Sequence, residues 1–260
     1  AIAAACKPML ARHGMPTAIG LCLPGLFDHE TRKLTRSINL PWLVGVPINT
    51  IVRAGIPYTP PALVVTDAFA AAFDLWSLET IITPQNSGRW FTLSLGTGVG
   101  ACVLDDGQPL HVSGTSPGHF GQLDVSADPT SAPIGPDGGR GSLEAYIGVP
   151  ALCAKHGCPP SEAVTHLLND STAIEALAKS LRIAHAIYRP QHIRLLGGIG
   201  IRLTPLHATL LRLTSHQLTS IARQDWTLGF GHNDFHAAAG AARLAHNASS
   251  STNPPASLGV

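Results

Sequence analysis

The stretch ALVVTDAFAAAFDLW, residues 62–76, constrains the fold more than any other part of the chain. Leu63, Val64 and Val65 make a short apolar run, and the alanine-rich segment after Asp67 favours helix. No turn residues separate the two, so a buried strand feeds a helix directly, as in layered α/β structures. A carboxylate then stands at the carboxyl end of a strand, where open α/β sheets place their ligands. Asp67 is equally a preferred N-cap for a helix starting at Ala68, and the two roles are compatible.

The rest of the chain alternates in the same way. A helix over AIAAACKPMLARHG stops at Gly14, and TAIGLCLPG reads as a buried strand ended by Pro24-Gly25. Residues 43–54 read as a helix weakened by Pro47. From Trp90, two hairpins follow, one turning at LGTGVG and the other at Asp105-Asp106-Gly107. Residues 124–141 are loop by composition, and helices resume at Ser142 and Ser161. A helix capped by Ser171 aligns Ile174, Leu177, Ala178, Leu181, Ala184 and Tyr188 on one face, ahead of Pro190. HIRLLGG reads as a strand, PLHATLLRLTSHQ and DFHAAAGAARLAHN as helices, and the Pro- and Ser-rich end as a disordered tail.

Composition sets the outer limits. The 260 residues are 45% hydrophobic and 13% charged, enough for a substantial core. A formal net charge of +1 with no basic stripe gives no reason to expect nucleic acid as a partner. Five cysteines without a framework spacing suit a reducing compartment. The apolar runs fall short of the ~20 residues that span a bilayer, so no membrane partner is expected. The N-terminus, which begins at Ala1, is a poor signal peptide, and the expected location is cytoplasmic.

Three short motifs could carry chemistry. In LGTGVG (Leu95–Gly100), backbone N–H groups at a turn between strands can converge on a phosphate, with the Thr97 hydroxyl as a further donor. An ordinary glycine hairpin is the alternative. LLGGIG (Leu195–Gly200) ends a strand before a helix, where glycines admit a ligand close to the backbone, or simply make a strand-to-helix turn. Asp67 could orient a hydroxyl and accept its proton, as phosphoryl transfer to an alcohol requires.

Taken in order, GLCLPGLFD, NLPW, VVTDAFAAA, LSLGTGVGACVLDDG, SGTSPGHFGQLDV, GRGSLEAYIG and LLGGIG resemble the ROK family of sugar kinases and related repressors. The resemblance runs from about Ala18 to Ala245. It implies an α/β, actin-like ATPase (ribonuclease H-like) fold of two lobes. Residues 1–86 would be the remainder of an incomplete N-terminal lobe and 87–234 the C-terminal lobe. Residues 235–249 would be a final helix that packs back on the first lobe, and 250–260 the tail. It further implies phosphate transfer from ATP, accompanied by Mg²⁺, to a hexose hydroxyl, with Asp67 as general base. Asn39, Thr66, His119 and Glu144 fall at sugar-contacting positions, and Gly96, Thr97, Gly98, Gly100, Gly197 and Gly198 at nucleotide-contacting ones. The partners expected are therefore a small sugar and a nucleotide, with a homodimer as a further expectation.

The departures from the family pattern carry their own expectations. Nothing here resembles the family's N-terminal Asp-x-Gly-Gly-Thr loop, whose neighbouring strand would pair with TAIGLCLPG and whose loss would leave an open edge. Thr66 stands where the family has Asn, His119 where it has a carboxylate, and Gln122 where it has His. His119 suggests a preference away from glucose. Gly135, Asp137 and Ser142 stand where many members have zinc-binding Cys, so no structural zinc is expected. Cys153, His156 and Cys158 read as incidental. A sugar-sensing or non-catalytic relative is the alternative function, and the absence of a helix-turn-helix argues against direct DNA binding.

Overall fold

The structure, a computed structural model, describes residues 2–28, 30–37, 39–56, 62–84, 87–110, 118–135 and 138–250. The tail beyond Ser250 and the Asp137 position lie outside the described residues. The chain divides into two units, residues 1–74 with 237–260, and residues 75–236.

In the first unit, α1 (Ile2–His13) ends at Gly14, whose φ of 78° is the left-handed turn that glycine permits. Strand β1 (Ile19–Leu23) follows, and then a short hairpin, β2 (Leu26–Asp28) with β3 (Lys33–Arg36). The sequence reading did not anticipate that hairpin, because each strand is too short to show an alternation. Helix α2 is Ile48–Arg53, shorter than the helix expected over 43–54. Pro47 is extended (φ −62°, ψ 136°) and stands just before the first turn, where its missing N–H costs nothing. Residues 41–43 form a separate 3₁₀ turn.

Strand β4 (Ala62–Thr66) pairs in parallel with β1, from Ile19 opposite Ala62 to Leu23 opposite Thr66. Leu23, Leu34, Ile48, Ile51, Val52 and Val64 form this unit's apolar core. Helix α3 (Asp67–Ile82) continues from β4 without a linker. Helix α10 (His236–Ser250) packs against β1 and the first half of α3, where Gly20 faces the Ala241 backbone and Gly240 the Ala70 carbonyl. A Cβ at either glycine would overlap main-chain atoms, so glycine is required for the close approach. Arg243 adds an ion pair to the buried Asp74 at 2.6 Å.

The second unit is built on a five-stranded mixed sheet of order β7-β6-β5-β8-β9. Strands β5 (Arg89–Leu95) and β6 (Val99–Asp105) form the expected hairpin. Asp106 and Gly107, with φ of 46° and 81°, make the second turn into β7 (Gln108–Pro109). Strand β8 (His192–Leu196) runs parallel to β5, and β9 (Thr227–Phe230) parallel to β8. Every β8 residue is buried, as in a central parallel strand, with the Arg194 charge paired to Glu79 at 2.8 Å. β9 was not foreseen, since TLGF is four residues with a glycine inside.

Helices α4 (Leu143–Ile147), α5 (Val149–His156), α6 (Ala163–Leu167), α7 (Ser171–Tyr188), α8 (Gly197–Gly200) and α9 (His207–Gln217) accompany the sheet. Helix resumes after Ser142 as expected, and Ser142 caps α4 by accepting the Ala145 N–H. On α7, Ile174, Leu177, Ala178, Leu181 and Ala184 are buried as the periodicity predicts, but the cap moves by one residue. Asp170, not Ser171, accepts the Ala173 N–H at 3.2 Å, because its carboxylate is also held by Lys155 at 2.5 Å.

Candidate active site

In the first unit the candidate residues gather at the carboxyl end of the β1–β4 pair. Thr66 ends β4, and its hydroxyl accepts the Phe69 N–H at 3.3 Å, which makes Thr66 the N-cap of α3. Asp67 is therefore the first helical residue rather than the cap, and its carboxylate accepts the Ala68 N–H at 2.9 Å. Asp67 is an exposed residue, yet enough protein surrounds its carboxylate for desolvation to be the largest influence on it. Burial raises its pKa above the ordinary 3.8, against the lowering effect of hydrogen bonds from the Ala68 and Asp67 N–H groups. Cys22, on β1 opposite Val65, is also raised, first by burial and then by the Asp67 charge, so the thiol lies near this carboxylate.

Asn39 is exposed in the loop after β3. The Ser37 hydroxyl ties that loop to the Pro24 carbonyl at 2.7 Å, directly beyond β1 and at the same sheet end as Thr66.

In the second unit, Glu144 organises a second group. Its carboxylate accepts the Val99 N–H at 2.8 Å and lies 3.0 Å from where a Cβ on Gly98 would stand. Gly121, two residues after the exposed His119, would contact the Val99 carbonyl at 2.7 Å and the Glu144 carboxylate at 3.4 Å if it carried a Cβ. The His119 loop, the Glu144 helix and the Gly96–Gly98 turn are thus packed together. Val149 N–H donates to the Gly96 carbonyl at 3.1 Å, and Gly96 N–H to the Gly98 carbonyl at 3.0 Å. Among the described residues the Thr97 and Gly98 N–H groups carry no hydrogen bond, and Thr97 is exposed. Two unused donors and a hydroxyl at a turn suit an anionic oxygen. Gly100 lies inside β6 opposite Ser94, beyond the turn itself.

Gly197 has a φ of 77°, and a Cβ there would stand 2.5 Å from the Leu95 carbonyl, so the start of α8 is held against the end of β5. Gly198 is exposed, and a Cβ there would make ordinary contacts with Arg202 Nη1 at 3.6 Å and Asp234 Oδ1 at 3.8 Å. Arg202 donates to the Gly198 carbonyl at 2.5 Å and forms a two-pronged pair with Asp234 at 3.0 and 3.1 Å. This frame around Gly198 was missed in the sequence, where Arg202 and Asp234 are 32 residues apart. The one available signal was Arg202 four residues after Gly198.

The positions of a family zinc do not fit that metal. Ser142 is spent as a helix cap, Gly135 has no side chain, and Gln122 offers an amide. Among the described residues no three His, Cys, Asp or Glu side chains are grouped as a metal site.

The chain matches the ROK family over residues 1–248. It belongs to that family. No curated protein matches the sequence significantly. Among solved structures, the ROK hexokinase from Thermus thermophilus is 22% identical with a TM-score of 0.66, covering 94% of this chain and 84% of that one. The ROK family glucokinase from Streptomyces griseus, solved with glucose and AMPPNP, is 18% identical with a TM-score of 0.68, covering 95% and 88%. A ROK family transcriptional regulator, a homologue of the E. coli MLC protein, is also 18% identical with a TM-score of 0.67. In that case 92% of this chain is covered but only 65% of the regulator. The fold of this ROK protein is accordingly the α/β, actin-like ATPase one. Among the described residues no helix is long and apolar enough to cross a membrane.

Proposed function

We propose that this ROK protein is an ATP-dependent hexose kinase with Asp67 as general base. One observation carries the reading: a carboxylate raised by burial stands at the junction of a parallel strand and a helix, in a chain of a family that includes sugar kinases. A base at a strand's carboxyl end can hold an alcohol O–H and take its proton as the oxygen attacks. Thr97, Gly98 and the Gly197–Gly198 turn would hold the nucleotide, which supplies the phosphoryl group. Asn39, His119 and Glu144 would bind the sugar hydroxyls. The reading includes a cytoplasmic location and a homodimer.

An ADP-release assay across a hexose panel tests this. Asp67→Asn is expected to lower turnover by ~10²–10⁴-fold at similar hexose binding. Turnover unchanged by Asp67→Asn would remove Asp67 as base.

A second reading, sugar sensing without turnover, is favoured by Thr66, whose hydroxyl is committed to the α3 cap rather than to a ligand. Saturable hexose binding with no phosphoryl transfer to any hexose would select it.

A further inference from the structure

The second unit contains a separate polar cavity of about 370 Å³, lined by His185, Arg189, Gln191, Ile221, Gln224 and Asp225 among others. It opens where the chain enters β8 and β9 at His192 and Thr227, whereas Gly197 follows the opposite end of β8. A five-residue strand separates the two ends by ~16 Å.

Three features set this cavity apart. First, four described non-glycine residues have positive φ, and two of them line it, Arg189 at 46° and Asp225 at 64°. Arg189 ends α7 in a left-handed conformation, a place where glycine is normally preferred because a Cβ is strained there. Asp tolerates this conformation, so the strain rests on Arg189, and a strained position held by a charged residue is a pointer to function. Second, among the described residues neither the Arg189 guanidinium nor the Asp225 carboxylate has a hydrogen bond or ion pair. Both residues are exposed, so two opposite charges stand at the open rim of one cavity without meeting.

Third, His185 is only 5% exposed, packs edge-on against Trp226 at 5.6 Å, and makes no side-chain hydrogen bond among the described residues. Burial, and then the Arg189 charge, lower its pKa below 6.5, so near pH 7 the ring is neutral and can both donate and accept. The ring nitrogens of His185 are unpaired without being sealed from solvent, so they are accessible to a solute in the cavity. Gln191 accepts the Arg89 N–H through Oε1 at 2.7 Å, which leaves its amide nitrogen as a further donor.

We propose that this cavity binds a small zwitterion of α-amino-acid type, its carboxylate on Arg189 and its ammonium on Asp225. The two unpaired charges match the two charges of such a ligand, and the polar lining suits a solute without a large apolar body.

The test is a titration of the full chain, followed through the His185 ring resonances by NMR and with no nucleotide or hexose present. L-glutamine and L-alanine are expected to shift them saturably, with dissociation constants of about 1 mM. Propionate and methylammonium, with one charge each, are expected to bind at least about tenfold more weakly. Arg189→Gly relieves the left-handed strain, so it is expected to melt no lower than the parent while losing the amino-acid response. Asp225→Asn keeps a residue that tolerates this conformation and is expected to lose the response as well. No saturable shift up to about 10 mM, an undiminished response in Arg189→Gly, or propionate binding as tightly as the amino acids would each overturn the proposal.

Discussion

Asp67 meets two opposed demands. Its position at the first turn of a helix favours a negative charge, yet burial outweighs that and raises its pKa. For a carboxylate raised on folding, the native state binds its proton more tightly than the unfolded chain. Stability from this group is therefore gained as pH falls through the raised pKa, and the ionised form is disfavoured at neutral pH. Asp67→Asn is expected to melt higher than the parent at pH 7, with the difference shrinking toward pH 4, by thermal denaturation at the two pH values. An unchanged or lower midpoint at pH 7 would mean that desolvation does not dominate. Asp67 was visible in the sequence because strand and helix meet on it. Its division of labour with Thr66 was not, since adjacent hydroxyl and carboxylate residues are both good caps.

At the scale of elements, single contacts decide where helices start and how closely they approach. Gly240 on α10 faces the Ala70 carbonyl on α3 with no room for a Cβ. Gly240→Ala meets main-chain atoms that cannot rotate away, and is expected to destabilise by ~1–3 kcal/mol in chemical denaturation. Asp170 acts similarly for α7. Burial alone would raise its pKa, but Lys155, the Ala173 N–H and His156 together hold it below 3.8. The stability it contributes is present above its unfolded pKa and is lost as pH falls through the lowered value. Asp170→Ala removes a cap and leaves Lys155 without its partner, and is expected to cost ~1–2 kcal/mol at pH 7. That loss should diminish in acid, where the parent forfeits the same interactions. The α7 face was legible because 3.6-residue periodicity is local. Its cap was misplaced by one residue because Lys155, 15 positions away, helps select Asp170.

For the whole molecule, the kinase and sensor readings share a ligand and differ in turnover. A hexose present at 100 times its dissociation constant should stabilise the native chain by ~2.7 kcal/mol. A thermal-shift panel should then show one best sugar, and Mg-ATP should add to its effect. Glucose as the clear best response would remove the expectation drawn from His119. Calorimetric titration of Mg-ATP, alone and then with that sugar, separates the readings, since a sensor is expected to bind the sugar without turnover. The fold was legible from ordered motifs spread over most of the chain, and the family match over residues 1–248 agrees with it. The hairpin β2–β3 and strand β9 were not legible, being three to four residues each. Such strands are defined by their neighbours, because long-range pairing supplies what local propensity lacks.

The sequence by itself determined the strand–Asp67–helix junction, the glycine turns at 96–98 and 197–198, and the buried face of α7. Each depends on residues within a few positions of one another, where backbone preference and side-chain periodicity act directly. Only the tertiary structure decided that Thr66 caps α3, that Glu144 braces the Thr97 turn through the Val99 N–H, and that Arg202 and Asp234 frame Gly198. It also decided that Arg189 and Asp225, 36 positions apart in the chain, share one cavity with His185. Those arrangements rest on hydrogen bonds and charges meeting across the fold. No local pattern records which distant group will satisfy a buried donor or leave a charge unpaired.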